Sequence, residues 1–158
     1  MSQRPTLRVL VLTSQQRVFE GEAEQVTAPG GDGELTVLPR HAPLLTTLKL
    51  GEMRVRVRGV DEGIFVAGGF LEVNNNVVTV LADDAERASE VDEARAEEAR
   101  QRAQALVEGK EGDAEAQTAA LAELERAVGR LRVAELQRLR SGGTRRRPAP
   151  PPQQELGE

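Results

Sequence analysis

The period at which apolar and polar residues alternate changes once along this chain. In "MRVRVR" (Met53 to Arg58), Met53, Val55 and Val57 fall on one face and three arginines on the other, a period of two. "LRVLVL", "RVFEGEAEQV", "LLTTLKL", "GIFVAGGFLEV" and "VVTVL" are runs of similar length. Glycine and asparagine clusters separate them: "PGGDGE", "RGVDEG", "VAGG" and "NNN". Short strands at this spacing, with no helical crossover between them, predict an antiparallel β-sandwich over residues 1–84.

Near Asp83 the strand pattern gives way to Ala-, Glu- and Arg-rich segments, all good helix formers. Ser89 followed by Asp92 resembles a capping box, with Asp in place of the longer Glu or Gln. Ala96, Ala99, Ala103 and Leu106 form a stripe at steps of three and four. Gly109 and Gly112 break the helix, and Asp113 is placed to cap the next, whose Leu121, Leu124, Val128 and Leu131 are again in helical register. Two helices joined by a short glycine turn should pack as an antiparallel hairpin over 85–140. The fold class is therefore α+β: an N-terminal antiparallel β-sandwich followed by a C-terminal two-helix hairpin. An alanine-rich seam buries little apolar area, and at about 25 cal/mol per Å² it holds two helices weakly. The remainder, 141–158, is rich in Arg, Pro and Gly and reads as a disordered tail.

Composition narrows the chemistry. The 158 residues contain no cysteine and one histidine, which excludes disulfides, thiolate sites and multi-histidine metal cages and leaves little for a catalytic centre. A net charge of −5, with no Trp or Tyr and three Phe, argues against nucleic-acid binding. No apolar run approaches the roughly 20 residues needed to span a bilayer. The opening "MSQRPTLRVL" lacks the apolar core of a signal peptide, so a cytosolic-type or peripheral protein is expected.

Three features invite a functional reading. His41 sits in "TVLPRHAPLL" between Pro39 and Pro43, which fix the chain on either side, so a hydrogen bond within a stiff connection fits it better than catalysis. "GGDGE" matches no phosphate-loop pattern and reads as a turn. Asp92, Arg95 and Arg102 lie near one side of the first helix, and Arg126 and Arg130 are four apart on the second. Folding the hairpin brings these guanidiniums together. Either an anion such as a polyphosphate neutralises them, or Glu90, Glu93, Glu123 and Glu125 do.

"GELTVLPRHAPLLTTLKLG", "VAGGFLEVNNNVVTVLADDAERA", "VDEARAEEA" and "AVGRLRVAELQ" resemble, in order, the epsilon subunit of the bacterial F-type ATP synthase, over roughly Leu7 to Arg140. The resemblance implies the same sandwich and hairpin, and a non-catalytic central-stalk subunit. It implies a sandwich seated on the gamma subunit and the c-ring, at the cytoplasmic face of the bacterial plasma membrane and attached only through the complex. Proton-driven rotation is coupled to ATP synthesis through gamma, and the hairpin, extended toward the alpha and beta subunits, inhibits ATP hydrolysis. Glu34 and His41 correspond to the c-ring-facing loop. The family's ATP motif appears as "VDEARA": Asp92, Arg95 and Ala96 match, with Val91 for a longer aliphatic residue and Glu86 upstream. Arg102, Arg126 and Arg130 correspond to phosphate-contacting arginines, while Arg126, Arg130 and Arg132 would face the beta subunit in the extended state. No cofactor is required, and ATP would act as a regulatory ligand. The alternative is a free-standing nucleotide-sensing module, distinguished by whether the chain co-purifies with gamma.

Overall fold

The structure is a computed structural model and describes residues 3–142; the expected tail lies outside the described residues from 143 onward. Eight strands come first: β1 (Leu7–Leu12), β2 (Arg17–Ala23), β3 (Gln25–Gly30), β4 (Gly33–Val37), β5 (Leu44–Thr47), β6 (Gly51–Val57), β7 (Val60–Asn74) and β8 (Val77–Arg87). A 3-10 turn (Ala88–Glu90) leads into α1 (Glu93–Glu108) and α2 (Ala114–Gly142). β8 thus continues beyond Asp84 to Arg87, whose Nε donates to the Val18 carbonyl at 2.8 Å. Ser141 and Gly142 belong to α2.

The strands hydrogen-bond in the order β2-β1-β8-β7-β6-β3-β4, with β5 added to the second half of β7. All pairings are antiparallel except β1 with β8. That parallel pair needs no crossover helix, because the strands between β1 and β8 already form the connection. The long β7 serves both layers: its first half pairs with β6 and its second with β5. Between the halves lie Gly68 and Gly69, both at positive φ. A Cβ at Gly69 would stand 2.1 Å from the Leu81 carbonyl oxygen, so only glycine lets β8 pass this closely.

The alternation read from "MRVRVR" is present in β6. Met53 and Val55 are fully buried, while Arg54 and Arg56 lie on the outer face. With Val9, Val11, Val26, Ile64, Val66, Leu71, Val73, Val78 and Val80 they form the sandwich core. β7 departs from alternation at Ile64–Ala67, where four consecutive residues are buried. Ile64 and Val66 point into the core; Phe65 and Ala67 form a second cluster with Ala88 and Val133, so α2 covers that outer face. Gly129 on α2 makes the approach close, since a Cβ there would lie 2.8 Å from the Phe65 ring.

The helix signals resolve differently from the expected capping box. Ser89 lies within the 3-10 turn, and Asp92 itself caps α1, its side chain accepting from Arg95 N–H at 3.1 Å. Asp113 caps α2 as its position suggested, accepting from Ala116 N–H at 2.8 Å. The hairpin seam uses Ala96 and Ala103 on α1, whereas Leu106 is exposed. On α2 the seam is offset from the leucine stripe: Ala120, Ala127 and Ala134 are buried, while Leu121 and Val128 are each 47% exposed. Alanines on both helices let the axes approach closely. The leucine stripe is displaced to the outside, where it borders the edge of an apolar groove that Leu50, Leu124, Val128 and Leu136 line.

Candidate functional site

A cleft of about 310 Å³ opens where the hairpin meets the end of β8, lined by Glu86, Asp92, Arg95, Ala96, Ala99, Arg102 and Arg130. Each element contributes for a local reason. Glu86 is carried by the end of the long β8. Asp92 is fixed by its capping bond to Arg95 N–H, which starts α1 and sets the helical phase of the residues after it. Arg95 and Arg102 are seven residues apart, two turns on one face, with the small Ala96 and Ala99 forming the floor between them. Arg130 reaches in from α2.

Arg130 is already engaged. It pairs with Asp84, its Nε donates to Glu86 at 3.2 Å, and its guanidinium lies 5.0 Å from the centre of the Phe65 ring. Burial raises the Glu86 carboxyl above its ordinary value; the Arg130 charge and hydrogen bond oppose this, and Asp84 and Glu90 reinforce it. Arg95 and Arg102 are different. Among the described residues neither side chain has an ion-pair partner. Of the four glutamates considered as neutralising partners, Glu93 pairs with Arg138 at 2.9 Å, and none of the four pairs with a cleft arginine. Two unpaired guanidiniums on one helix face, beside a third held by carboxylates, form a site suited to a multiply charged anion.

Six of the eight residues assigned to this site from sequence therefore line one cleft. Val91 is half-buried just before α1, and Arg126 is exposed one turn before Arg130; neither lines the cleft. Arg132 is exposed on the side of α2 away from Arg126 and Arg130 and pairs with Glu135 at 3.8 Å, so the three do not share one face of the helix. Sequence reasoning missed Asp84 and Phe65, the two groups that hold Arg130. Nothing in helical or strand periodicity states which strand end meets which helix turn.

Glu34 and His41 are not brought together. Glu34 is exposed at the start of β4, where Arg54 reaches it at 3.4 Å. His41 lies past the far end of β4, so on the order of 10 Å of strand separates them. The His41 backbone N–H donates to the Leu38 carbonyl at 3.1 Å, and its ring nitrogen Nδ1 lies 2.6 Å from the Ala42 carbonyl. Asn76 fixes the same connection, accepting from Arg40 N–H at 2.9 Å and donating to the Thr6 carbonyl at 2.9 Å. The histidine belongs to a stiff turn, with no acid or nucleophile bonded to it among the described residues.

On the outer face of the sandwich three large apolar side chains are exposed: Leu45 (69%), Phe70 (52%) and Leu81 (55%). Phe70 and Leu81 stand opposite each other across β7 and β8. No group of three or more metal-ligating side chains occurs among the described residues, and no described helix is long and apolar enough to cross a membrane.

Comparison with known proteins matches the chain along almost its whole described length. Residues 6–88 match the sequence family "ATP synthase, Delta/Epsilon chain, beta-sandwich domain", and residues 89–135 match "ATP synthase, Delta/Epsilon chain, long alpha-helix domain". The ATP synthase epsilon chain of Janthinobacterium sp. (strain Marseille) is 47% identical over 137 residues, covering 85% of this chain and 96% of the relative. That of Chromohalobacter salexigens is 49% identical over 137 residues, covering 86% and 95%. Among solved structures, a chain of the Euglena gracilis mitochondrial ATP synthase (OSCP/F1/c-ring, rotational state 1) superposes with a TM-score of 0.68 at 21% identity, covering 85% of this chain and 84% of that one; this likeness concerns the fold alone.

Proposed function

Because the chain belongs to the ATP synthase delta/epsilon chain family, we propose that it is a non-catalytic rotor subunit whose sandwich joins gamma to the c-ring. Its hairpin acts as an ATP-responsive brake on hydrolysis. The subunit then resides at the cytoplasmic face of the plasma membrane, held there by the complex. The exposed Leu45, Phe70 and Leu81 supply an apolar surface for gamma, since contiguous patches of this kind mark protein contacts. Glu34, at a different edge, is left for the c-ring.

The observation that carries the regulatory reading is the composition of the cleft. Its walls come from β8, α1 and α2 together, so an anion seated between Arg95 and Arg102 and beside Arg130 touches all three only while the hairpin is folded onto the sandwich. A ligand that binds one conformation better shifts the population toward it. ATP therefore favours the folded hairpin. When ATP is scarce the hairpin extends along gamma, which releases Arg130 from Asp84 and Glu86 and carries it, with the already exposed Arg126 and Arg132, to acidic surface on the beta subunit.

The direct test compares ATP hydrolysis by the assembled complex with full-length chain and with a chain truncated after Val91. Truncation there keeps β8 through Arg87 and the 3-10 turn. The truncated complex should hydrolyse ATP faster; equal rates would remove the brake from the account.

A further inference from the structure

The last two turns of α2 end against the outer face of β6 and β7, and there the two domains are joined by polar groups. Both terminal nitrogens of Arg140 donate to Glu52, at 2.9 Å to Oε1 and 2.8 Å to Oε2. Gln137 Oε1 accepts from Gly63 N–H at 2.9 Å and from Arg140 at 3.1 Å. The Glu52 side chain is only 7% exposed. Gly63 leaves the space that this requires, for a Cβ there would lie 2.6 Å from Arg140, 3.0 Å from Glu52 and 3.1 Å from Gln137.

We propose that Glu52, Gly63, Gln137 and Arg140 form a latch that sets how much of the chain has its hairpin folded down. This rests on the reading above that the hairpin moves. The apolar part of the docking surface is small, chiefly Phe65, Ala67, Ala88 and Val133, so a polar contact at the helix end weighs heavily in the balance. The latch also acts on one state only. With the hairpin away, Glu52 and Arg140 are hydrated separately at no penalty. With it down and Arg140 gone, Glu52 keeps a shielded charge whose remaining cation is Arg54, at 3.5 Å. Loss of either partner therefore raises the folded-down state alone. The second anchor, Arg130 on Asp84 and Glu86, stands at the cleft and is the one a nucleotide would disturb. The Arg140 latch lies outside the cleft and holds α2 whether or not the cleft is filled.

The chain has no cysteine among its residues, so spin labels on Ser14→Cys and Gln101→Cys attach only where intended. Both positions are exposed and outside the latch and the cleft. Pulsed electron–electron distance measurement on the full chain should give one short separation. Arg140→Gln, Glu52→Gln and Gly63→Ala should each add a longer one, raising the open-to-closed ratio about tenfold or more, the scale expected when a shielded pair loses a partner. Arg130→Glu, which breaks the other anchor, is the control. If it lengthens the distance while the three latch variants do not, the latch is overturned and the mobile hairpin stands. If no variant lengthens it, and pinning the hairpin down with a disulfide leaves hydrolysis by the assembled complex unchanged, both the latch and the brake are overturned.

Discussion

Arg95 and Arg102 are the two residues on which nucleotide binding should depend most, because their charge is unspent in the chain itself. Charge-assisted hydrogen bonds contribute about 1.5–3 kcal/mol, so Arg95→Ala or Arg102→Ala should weaken ATP binding roughly tenfold to a hundredfold in calorimetric titration. Arg126→Ala should change it little, since Arg126 stands outside the cleft. At Phe65, truncation to alanine empties the space under α2 and should cost about 3–5 kcal/mol in urea unfolding. Two carboxylates carry opposite pH signatures. The Asp61 carboxyl is held below its ordinary 3.8, first by its hydrogen bond from Arg56, so its stabilisation is present above that value and lost as pH falls through the lower folded value. Glu86 is raised above 4.5 by burial, so its contribution is greatest below 4.5 and is lost as pH rises through the folded value. Unfolding measured in steps across this range should show that falling component in the wild type, and Glu86→Gln should lack it.

At the scale of elements, sequence told strands from helices well, and helix faces poorly. β6 was legible because Met53 and Val55 face one core and the arginines face outward. "IFVA" in β7 gave no face, because one side meets the sandwich core and the other meets α2; periodicity cannot separate two burials from one. The alanine and leucine stripes of α2 both recur at helical steps, and only the partner helix decides between them. It selects Ala120, Ala127 and Ala134, since small residues permit the closest approach. Overfilling that seam should cost about 1–3 kcal/mol, so Ala127→Leu should loosen the hairpin while leaving the sandwich intact. Hydrogen exchange would report this as faster exchange in α1 and α2 with β1 and β8 unchanged. The cleft was partly legible: Asp92, Arg95, Ala96, Ala99 and Arg102 all belong to α1 and its cap, and folding the hairpin brings Arg130 to them, whereas Glu86 was assigned only through the family resemblance. Asp84 and Phe65 were invisible because their role arises where β8 and β7 happen to meet Arg130.

For the whole molecule, the proposed nucleotide binding and hairpin docking would be one equilibrium, because the cleft takes its walls from β8, α1 and α2. A ligand at about 100 times its dissociation constant stabilises the state it binds by roughly 2.7 kcal/mol. ATP should therefore raise the melting temperature of the full chain and leave the chain truncated after Val91 unmoved, which scanning calorimetry of both would decide. The same logic ties the ends of the protein together: whatever holds α2 on β6 and β7 also preserves the geometry of a cleft several turns away.

The face of β7 beneath α2 has one more consequence. Phe65 has no exposed surface while the hairpin is down, and Ala67 and Ala88 lie beside it. Lifting α2 turns that floor into a wet, sticky patch on a protein whose other side already shows Phe70 and Leu81. An open chain away from its partners would then carry this patch in addition to that of Leu45, Phe70 and Leu81, and be more prone to self-association than a closed one. On the proposed reading, the hairpin would also shield this floor until a partner surface takes its place.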